Sequence, residues 1–192
     1  LGYYDDHRHV CLARRKLPDG AWEIIRFQDY LFEKNDSHNI ISLGICPNDG
    51  TIHVAFDMHA RELHYRVSEK GVASRPEQVN WSTSLFSPVS NALEPGKPIK
   101  SMTYPRFIQT PDGDLQLCYR KGGSGNGTRM LIDYNSDTGL FENAHAIDSG
   151  EGVFEDRLSK STSRNSYPNG YHYGPKGKLH TTWVWRESSQ GA

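Results

Sequence analysis

His38, His59, Tyr104 and Arg120 are the residues of this chain whose types and spacing suggest chemistry. An arginine and a protonated histidine neutralise a carboxylate. A neutral histidine or a tyrosinate removes a proton, and a tyrosine hydroxyl returns one to a departing oxygen. A lone histidine at the end of a strand is usually a hydrogen-bonded structural group, so none of the four says much by itself. Together they form a set suited to acid–base work on an acidic substrate, provided that the fold gathers them.

The elements that position them follow from a pattern that occurs four times. Its copies are D-H-R-H-V-C-L-A-R-R-K-L-P-D-G from Asp6, S-H-N-I-I-S-L-G-I-C-P-N-D-G from Ser37, T-Y-P-R-F-I-Q-T-P-D-G from Thr103 and S-Y-P-N-G-Y-H-Y-G-P-K-G from Ser166. Each opens with His or Tyr, runs through a strand-like segment and turns at a Pro/Asp/Gly cluster. The turns centre on Gly20, Gly50, Gly113 and Gly177, where glycine accepts φ > 0. Two strands joined this way make a hairpin. His38, Tyr104 and Tyr167 begin first strands, while His59, Arg120 and Arg186 follow second strands. Equivalent hairpins therefore bring these residues to the end opposite the turns, with Gly50 and Gly113 on the far side.

Hairpin units tens of residues apart imply an all-β fold, a β-propeller of four-stranded blades. At roughly 40–50 residues per blade the chain covers about four. Residues 1–192 read as one domain and as a portion of a larger propeller, with a complete four-bladed ring as the alternative. Glu69 to Lys100, rich in Pro and Ser, reads as an irregular connection with one weak strand around Val79 to Leu85.

A net charge of −1 with interleaved signs offers no basic stripe for nucleic acid. No apolar run reaches the roughly 20 residues of a membrane span. Cys11, Cys46 and Cys118 sit in strand-like segments of different repeats, and three is an odd count for a disulfide framework, so buried thiols are expected. Sequons at Asn35, Asn80 and Asn126 favour secretion only weakly. His7, His9 and Cys11 alternate along one strand face, but a closed zinc site needs a fourth ligand, so a packed strand start is the expected reading and no metal is assigned. The run K-G-G-S-G-N-G-T from Lys121 lacks the Lys-Ser/Thr ending of a phosphate loop and reads as a flexible loop.

The S-H-N opening, the strand ending in D-M-H, T-Y-P-R-F and Y-R-x-G-x-S-G resemble the BNR-repeat propellers that include ulvan lyases and related rhamnose–glucuronate lyases. The resemblance runs from about Asp6 to Glu187, and the separations of 21 residues from His38 to His59 and 16 from Tyr104 to Arg120 are similar to the ulvan-lyase pattern. It implies a seven-bladed propeller that cleaves 4-linked uronic acids by β-elimination, with rhamnosyl-1,4-glucuronate as the best match. It further implies His38 and Tyr104 as the acid/base pair, and His59 and Arg120 as carboxylate neutralisers. Asn39, Asn165 and Tyr167 are the remaining substrate-binding candidates, Tyr167 as a stacking platform and Asn165 as a hydrogen-bonding group. A uronic-acid polysaccharide is the expected partner, with no cofactor, nucleic acid or membrane, and a secreted or periplasmic location.

Two departures stand out: the chain is too short for seven blades, and the strict S-x-D-x-G-x-T-W box of sialidase-type repeats is absent. A sialidase-type hydrolase, which needs an arginine cluster with paired carboxylates or a Tyr/Glu nucleophile, is the alternative enzyme. A non-catalytic carbohydrate-binding propeller is the alternative outside enzymology.

Overall fold

A computed structural model describes residues 1–188 and 190. Its strands are β1 (Gly2–Tyr4), β2 (His9–Arg14), β3 (Glu23–Leu31), β4 (Ser42–Ile45), β5 (Ile52–Ala55), β6 (His59–Arg61) and β7 (Tyr65–Val67). They continue with β8 (Met102–Gln109), β9 (Leu115–Lys121), β10 (Thr128–Asn135), β11 (Leu140–Ala146), β12 (Phe154–Glu155), β13 (Lys160–Ser161), β14 (Asn165–Tyr173) and β15 (Leu179–Arg186). All named pairings are antiparallel. The sheets run β1-β2-β3, then β4-β5-β7, then β6-β8-β9-β10-β11, followed by the pairs β12-β13 and β14-β15. The four-stranded unit expected from the repeat is met in β8 to β11, which gains β6 as a fifth strand. Among the described residues no helix is long and apolar enough to cross a membrane.

The first three sheets and the β14–β15 pair pack on one another in succession through shared cores, and the alternation of side chains along central strands supplies both faces. On β5 and the residue after it, Val54 and Phe56 join Val10, Leu12, Ile25 and Phe27 between the first two sheets. Ala55 points the other way, into the core shared with Leu115, Leu117, Ile132 and Phe141. On β9, Cys118 turns toward Tyr171 and Tyr173 of β14. Strands β4 and β8 approach closely at Gly44, where a Cβ would stand 2.6 Å from the Phe107 side chain.

Three of the four expected turn glycines hold positive φ: Gly50 (67°), Gly113 (94°) and Gly177 (66°). Gly20 does not; it is needed for space, because a Cβ there would lie 2.6 Å from the Lys16 carbonyl. The turns of the second and third sheets meet, with the Asn48 N–H donating to the Gly113 carbonyl at 3.1 Å. No strand forms over Val79 to Leu85. The segment holds 3₁₀ turns at Pro76–Gln78 and Thr83–Leu85. Its serines bond locally instead of joining a ladder, Ser82 Oγ lying 2.8 Å from Ser84 Oγ. Cys11, Cys46 and Cys118 are buried free thiols, as expected. His7 lies outside β2, exposed and paired with Asp6, so it does not share a strand face with His9 and Cys11.

Candidate functional site

Residue pairing lays one row across the third sheet, at the end remote from Gly113. His59 of β6 pairs with Thr103 of β8, Thr103 with Arg120 of β9, and Arg120 with Arg129 of β10. Partners in an antiparallel pair point to the same face. The row therefore sets an imidazole, a hydroxyl and two guanidiniums side by side.

Tyr104 follows Thr103 and in a regular strand would point into the opposite core. It does not, because the register breaks between Thr103 and Arg106 and Tyr104 takes φ = 53°. Facing this bulge, β6 has its own irregularity at Ala60 (φ 54°), whose N–H donates to Thr103 Oγ1 at 2.6 Å. Left-handed conformations at residues other than glycine cost about 1–3 kcal/mol, and bulges re-aim side chains beside functional sites. The result is a tyrosine turned toward the row: its ring lies 5.9 Å from His59, 6.1 Å from His38 and 5.0 Å from the Arg120 guanidinium carbon.

His38 lies in the turn before β4 rather than at its start, and His59 belongs to its own short strand. Their rings stack at 4.4 Å. Asp36, which sequence reasoning missed, joins them: His38 Nδ1 donates to one carboxylate oxygen at 2.6 Å and His59 Nδ1 to the other at 2.7 Å. The His38 backbone N–H and the two imidazoles hold the Asp36 carboxyl well below the usual range. A carboxylate only accepts, so both rings carry hydrogen on Nδ1 and present Nε2 away from Asp36. The donor atoms of Asp36, His38 and His59 lie within 4.8 Å of one another, the grouping of three metal-ligand residue types found among the described residues. With both Nδ1 atoms bonded to Asp36, the trio forms a hydrogen-bonded relay.

Arg120 is 1% exposed, and only its Nη1 has a partner, the Tyr167 hydroxyl at 2.8 Å. Its Nε and Nη2 are buried without one. The Gly-rich loop read as merely flexible shapes this pocket. A Cβ on Gly127 would stand 2.5 Å from the Arg120 stem, and Ser124 Oγ lies 2.7 Å from the Tyr167 hydroxyl. Burial pushes the Tyr167 phenol up, but the Ser124 bond and the Arg186 and Arg120 guanidiniums outweigh it and bring the group below the ordinary phenol range. The Tyr167 ring thus has the guanidinium carbons of Arg186, Arg120 and Arg129 over it at 5.0, 5.4 and 6.0 Å from its centroid.

The two asparagines stand behind these groups. Asn39 is buried and donates to Asp57 Oδ1 at 2.7 Å. Asp57, fully buried, also accepts from Tyr30 and the Glu33 N–H, tying the His38 turn to the residue pair before His59. Asn165 is buried opposite Arg186, and neither end of its amide has a partner. Asp36 was legible only as D-x-H, a pattern too common to select; Ser124 lay inside the quoted Y-R-x-G-x-S-G.

Chemically, the site offers two imidazole Nε2 atoms, a phenol at Tyr104 and the buried Nε and Nη2 of Arg120, which have no partner. A cleft of about 260 Å³ opens beside Tyr104 and Tyr167.

The chain matches the BNR repeat-containing family over residues 1–192. It is 27% identical over 190 residues to the ulvan lyase, long isoform, of Glaciecola sp. (strain KUL10), an alignment covering 72% of this chain and 19% of that protein. It is 25% identical over 231 residues to the short isoform of Alteromonas sp. (strain LOR), covering 88% of this chain and 43% of that one. The chain therefore spans less than half the length of these curated relatives. Among solved structures, the polysaccharide lyase Uly1 superposes with a TM-score of 0.80 at 22% identity, over 97% of this chain and 46% of that one. A PL25 ulvan lyase gives 0.55 at 12% identity, over 96% and 44%. The all-β fold is thus that of these lyase structures, and the chain belongs to the BNR repeat-containing family.

Proposed function

We propose that this chain carries the active site of a polysaccharide lyase that cleaves a 4-linked uronic acid by β-elimination, with rhamnosyl-1,4-glucuronate as the bond. The observation that carries the reading is the convergence of the Asp36-linked His38/His59 pair, the re-aimed Tyr104 and the incompletely bonded Arg120. Similarity to ulvan lyases supports it. The first three sheets and the β14–β15 pair, packed in succession through shared cores, fit blades of a propeller.

The C5 proton of a uronate is hardly acidic while its carboxylate keeps full charge. Arg120 and His59 pair with that carboxylate and stabilise the enolate that develops as the proton leaves, an electrostatic effect of about 3–4 kcal/mol per donor in comparable sites. A base takes the C5 proton, the C4–O bond breaks, a C4=C5 double bond forms and the departing oxygen receives a proton. Positioned acid–base groups contribute about 10²–10⁴-fold.

In glucuronate C5–H and C4–O lie on one side of the ring, so Tyr104 serves as base and then acid, with His38 supporting its ionisation. In iduronate they lie on opposite sides, and His38 Nε2 takes the proton while Tyr104 gives one. Tyr167 meets the sugar beyond Arg120 with the buried Asn165 amide behind it, and Asn39 steadies the His38 turn from behind. A hydrolase needs two carboxyl groups flanking the bond; here the Asp36 oxygens are both bonded to imidazoles. A polymer substrate places the protein outside the cytoplasm, secreted or periplasmic.

The test is a panel of uronate polysaccharides followed by ultraviolet absorbance of the C4=C5 product. New absorbance supports the lyase. Reducing ends without absorbance would mean a hydrolase, and binding with neither would mean a lectin-like module.

A further inference from the structure

Left-handed backbone away from glycine is concentrated around the histidine pair. Among the described residues other than glycine, φ is positive at Arg8, Asp57, Ala60, Tyr104 and Asn143, and Asp57 (53°) and Ala60 (54°) bracket His59. Asp57 is the more demanding of these two, because it also buries a carboxylate completely. Phe56 and Met58, on either side of it, belong to different cores, so the chain changes layers at this residue.

The Asp57 carboxylate gathers donors from three separate segments. Its Oδ1 accepts from Asn39 Nδ2 at 2.7 Å, and its Oδ2 accepts from the Tyr30 hydroxyl and from the Glu33 N–H at 3.3 Å. Its backbone is fastened as well: the N–H donates to the Tyr4 hydroxyl at 2.8 Å, and the carbonyl lies 3.2 Å from His64 Nδ1. Arg61 Nη1 stands 4.0 Å from Oδ2 and makes no hydrogen bond. Asn39 carries the link onward. Its N–H donates to the Asp36 carbonyl at 3.0 Å and closes the turn that holds both Asp36 and His38. Asp57 is therefore one side chain away from two members of the relay, and two residues along the chain from the third, His59. Apolar side chains would join these layers at less cost than a buried carboxylate. What the carboxylate adds is direction, because each of its oxygens accepts along a defined line.

We infer that Asp57 is a positioning residue for the proposed reaction: through Asn39 on one side and its own left-handed backbone on the other, it holds the His38 and His59 rings in their stack over Asp36. Its part in turnover rests on the lyase reading; its part in the geometry does not.

The experiment exchanges the two partners. Asn39→Asp sets two carboxylates face to face. Adding Asp57→Asn restores the bond in reverse, since the amide now at position 57 donates to the carboxylate at 39 while its oxygen still accepts from Tyr30 and the Glu33 N–H. We expect kcat on a uronate polymer to fall about 10- to 100-fold in Asn39→Asp with KM nearly unchanged, and to return to within about threefold of the parent in the exchanged pair. Tyr30→Phe cuts the same carboxylate on the side away from the His38 turn, so it should lower Tm and leave kcat within about threefold. Nitrogen NMR of the imidazoles in the protein without substrate gives a readout independent of turnover. The His38 Nδ1–H signal should shift in Asn39→Asp and return in the exchanged pair. Should Asn39→Asp not fold, Asn39→Ala removes the bond without adding a charge; the same kcat loss and signal shift are expected, with no further loss from Asp57→Asn in that background. An unmoved His38 signal, a parent-like kcat in the single variant, an exchanged pair as poor as the single variant, or a kcat that falls only in step with Tm across all variants overturns the inference. Absence of C4=C5 absorbance from the parent on every polymer refutes the lyase reading separately, and the imidazole signals then still decide whether Asp57 holds the pair.

Discussion

Gly127→Ala tests whether the placement of Arg120, and not just its presence, matters. Gly127 does not need a left-handed backbone, so alanine is tolerated conformationally and its effect is steric. The new methyl would stand 2.5 Å from Arg120 Cγ and Cδ, against 3.4 Å for ordinary contact, and 2.9 Å from the Gly123 carbonyl oxygen. The Arg120 stem must therefore retreat by about 0.9 Å, although it is 1% exposed and wedged between the Tyr104 and Tyr167 rings. Overpacking of this kind costs about 1–3 kcal/mol of stability, a Tm loss of several degrees in a chain of this size. Misplacing a substrate-positioning group by about 1 Å costs about 10²-fold in rate. We expect kcat/KM for a uronate polymer, followed by C4=C5 absorbance, to fall about 100-fold while the thermal transition stays cooperative. The decisive comparison is a double-mutant cycle. Arg120→Ala removes the side-chain atoms that the methyl meets and leaves only its 2.9 Å contact with the Gly123 carbonyl, so Gly127→Ala should cost no further transition-state stabilisation in that background, a coupling of about 2.7 kcal/mol in the transition-state free energy. Additive losses, or wild-type activity in Gly127→Ala, would refute the reasoning that the guanidinium acts from this fixed position.

Tyr104→Phe keeps the ring against His59 and Arg120 but removes the phenol; glucuronate turnover should fall by at least about 10²-fold with polymer binding nearly intact, and wild-type activity would sink the mechanism. Asp36→Asn replaces one acceptor by an N–H donor, so one imidazole loses its partner. kcat should drop about 10- to 100-fold with an unchanged Tm, since Asp36, His38 and His59 are all partly exposed, and a lost Tm with full kcat would make Asp36 merely structural. His53 gives a pH signature: burial lowers it from 6.5 to about 4, so the unfolded chain takes up the proton first as pH falls. Stability is fully present above 6.5 and declines by up to about 3 kcal/mol as pH falls through 4. Urea unfolding across that window in the protein and in His53→Gln should show the slope flattened in the variant, and equal slopes would count against the assignment.

The hairpins were legible because Pro, Asp and Gly punctuate strands in the sequence itself, and those signals are local. Gly50, Gly113 and Gly177 turn as read, while Gly20 answers a contact with Lys16 that no local rule contains. The weak strand at Val79 to Leu85 failed for a similar reason: its apolar residues face Arg14 and Phe86 from a coil whose serines bond one another. His38, His59, Tyr104 and Arg120 stand out in the sequence as ends of strand-like segments, although His38 lies in the turn before β4 and His59 on its own short strand β6. Asp36 does not, since its role depends on two histidines separated by a whole hairpin. Nor could any periodicity show that Tyr104 leaves its expected face, because that follows from a bulge and a positive φ.

The arrangement explains why the strain sits where it does. His59, Thr103, Arg120 and Arg129 belong to one sheet and would be aligned by its ladder without assistance. His38 reaches the row from the second sheet and Tyr167 from β14, so their distances are set by the cores between sheets rather than by hydrogen-bond register. A tyrosine meant to touch substrate between these three contributions cannot occupy a regular position of β8, because one face is filled by the row and the other by the core around Met102 and Tyr119. The left-handed turn at Tyr104 resolves that conflict by lifting its ring from the core face to the open edge of the row. A bulge-free β8 would be more regular, and it would bury the phenol that the proposed chemistry requires.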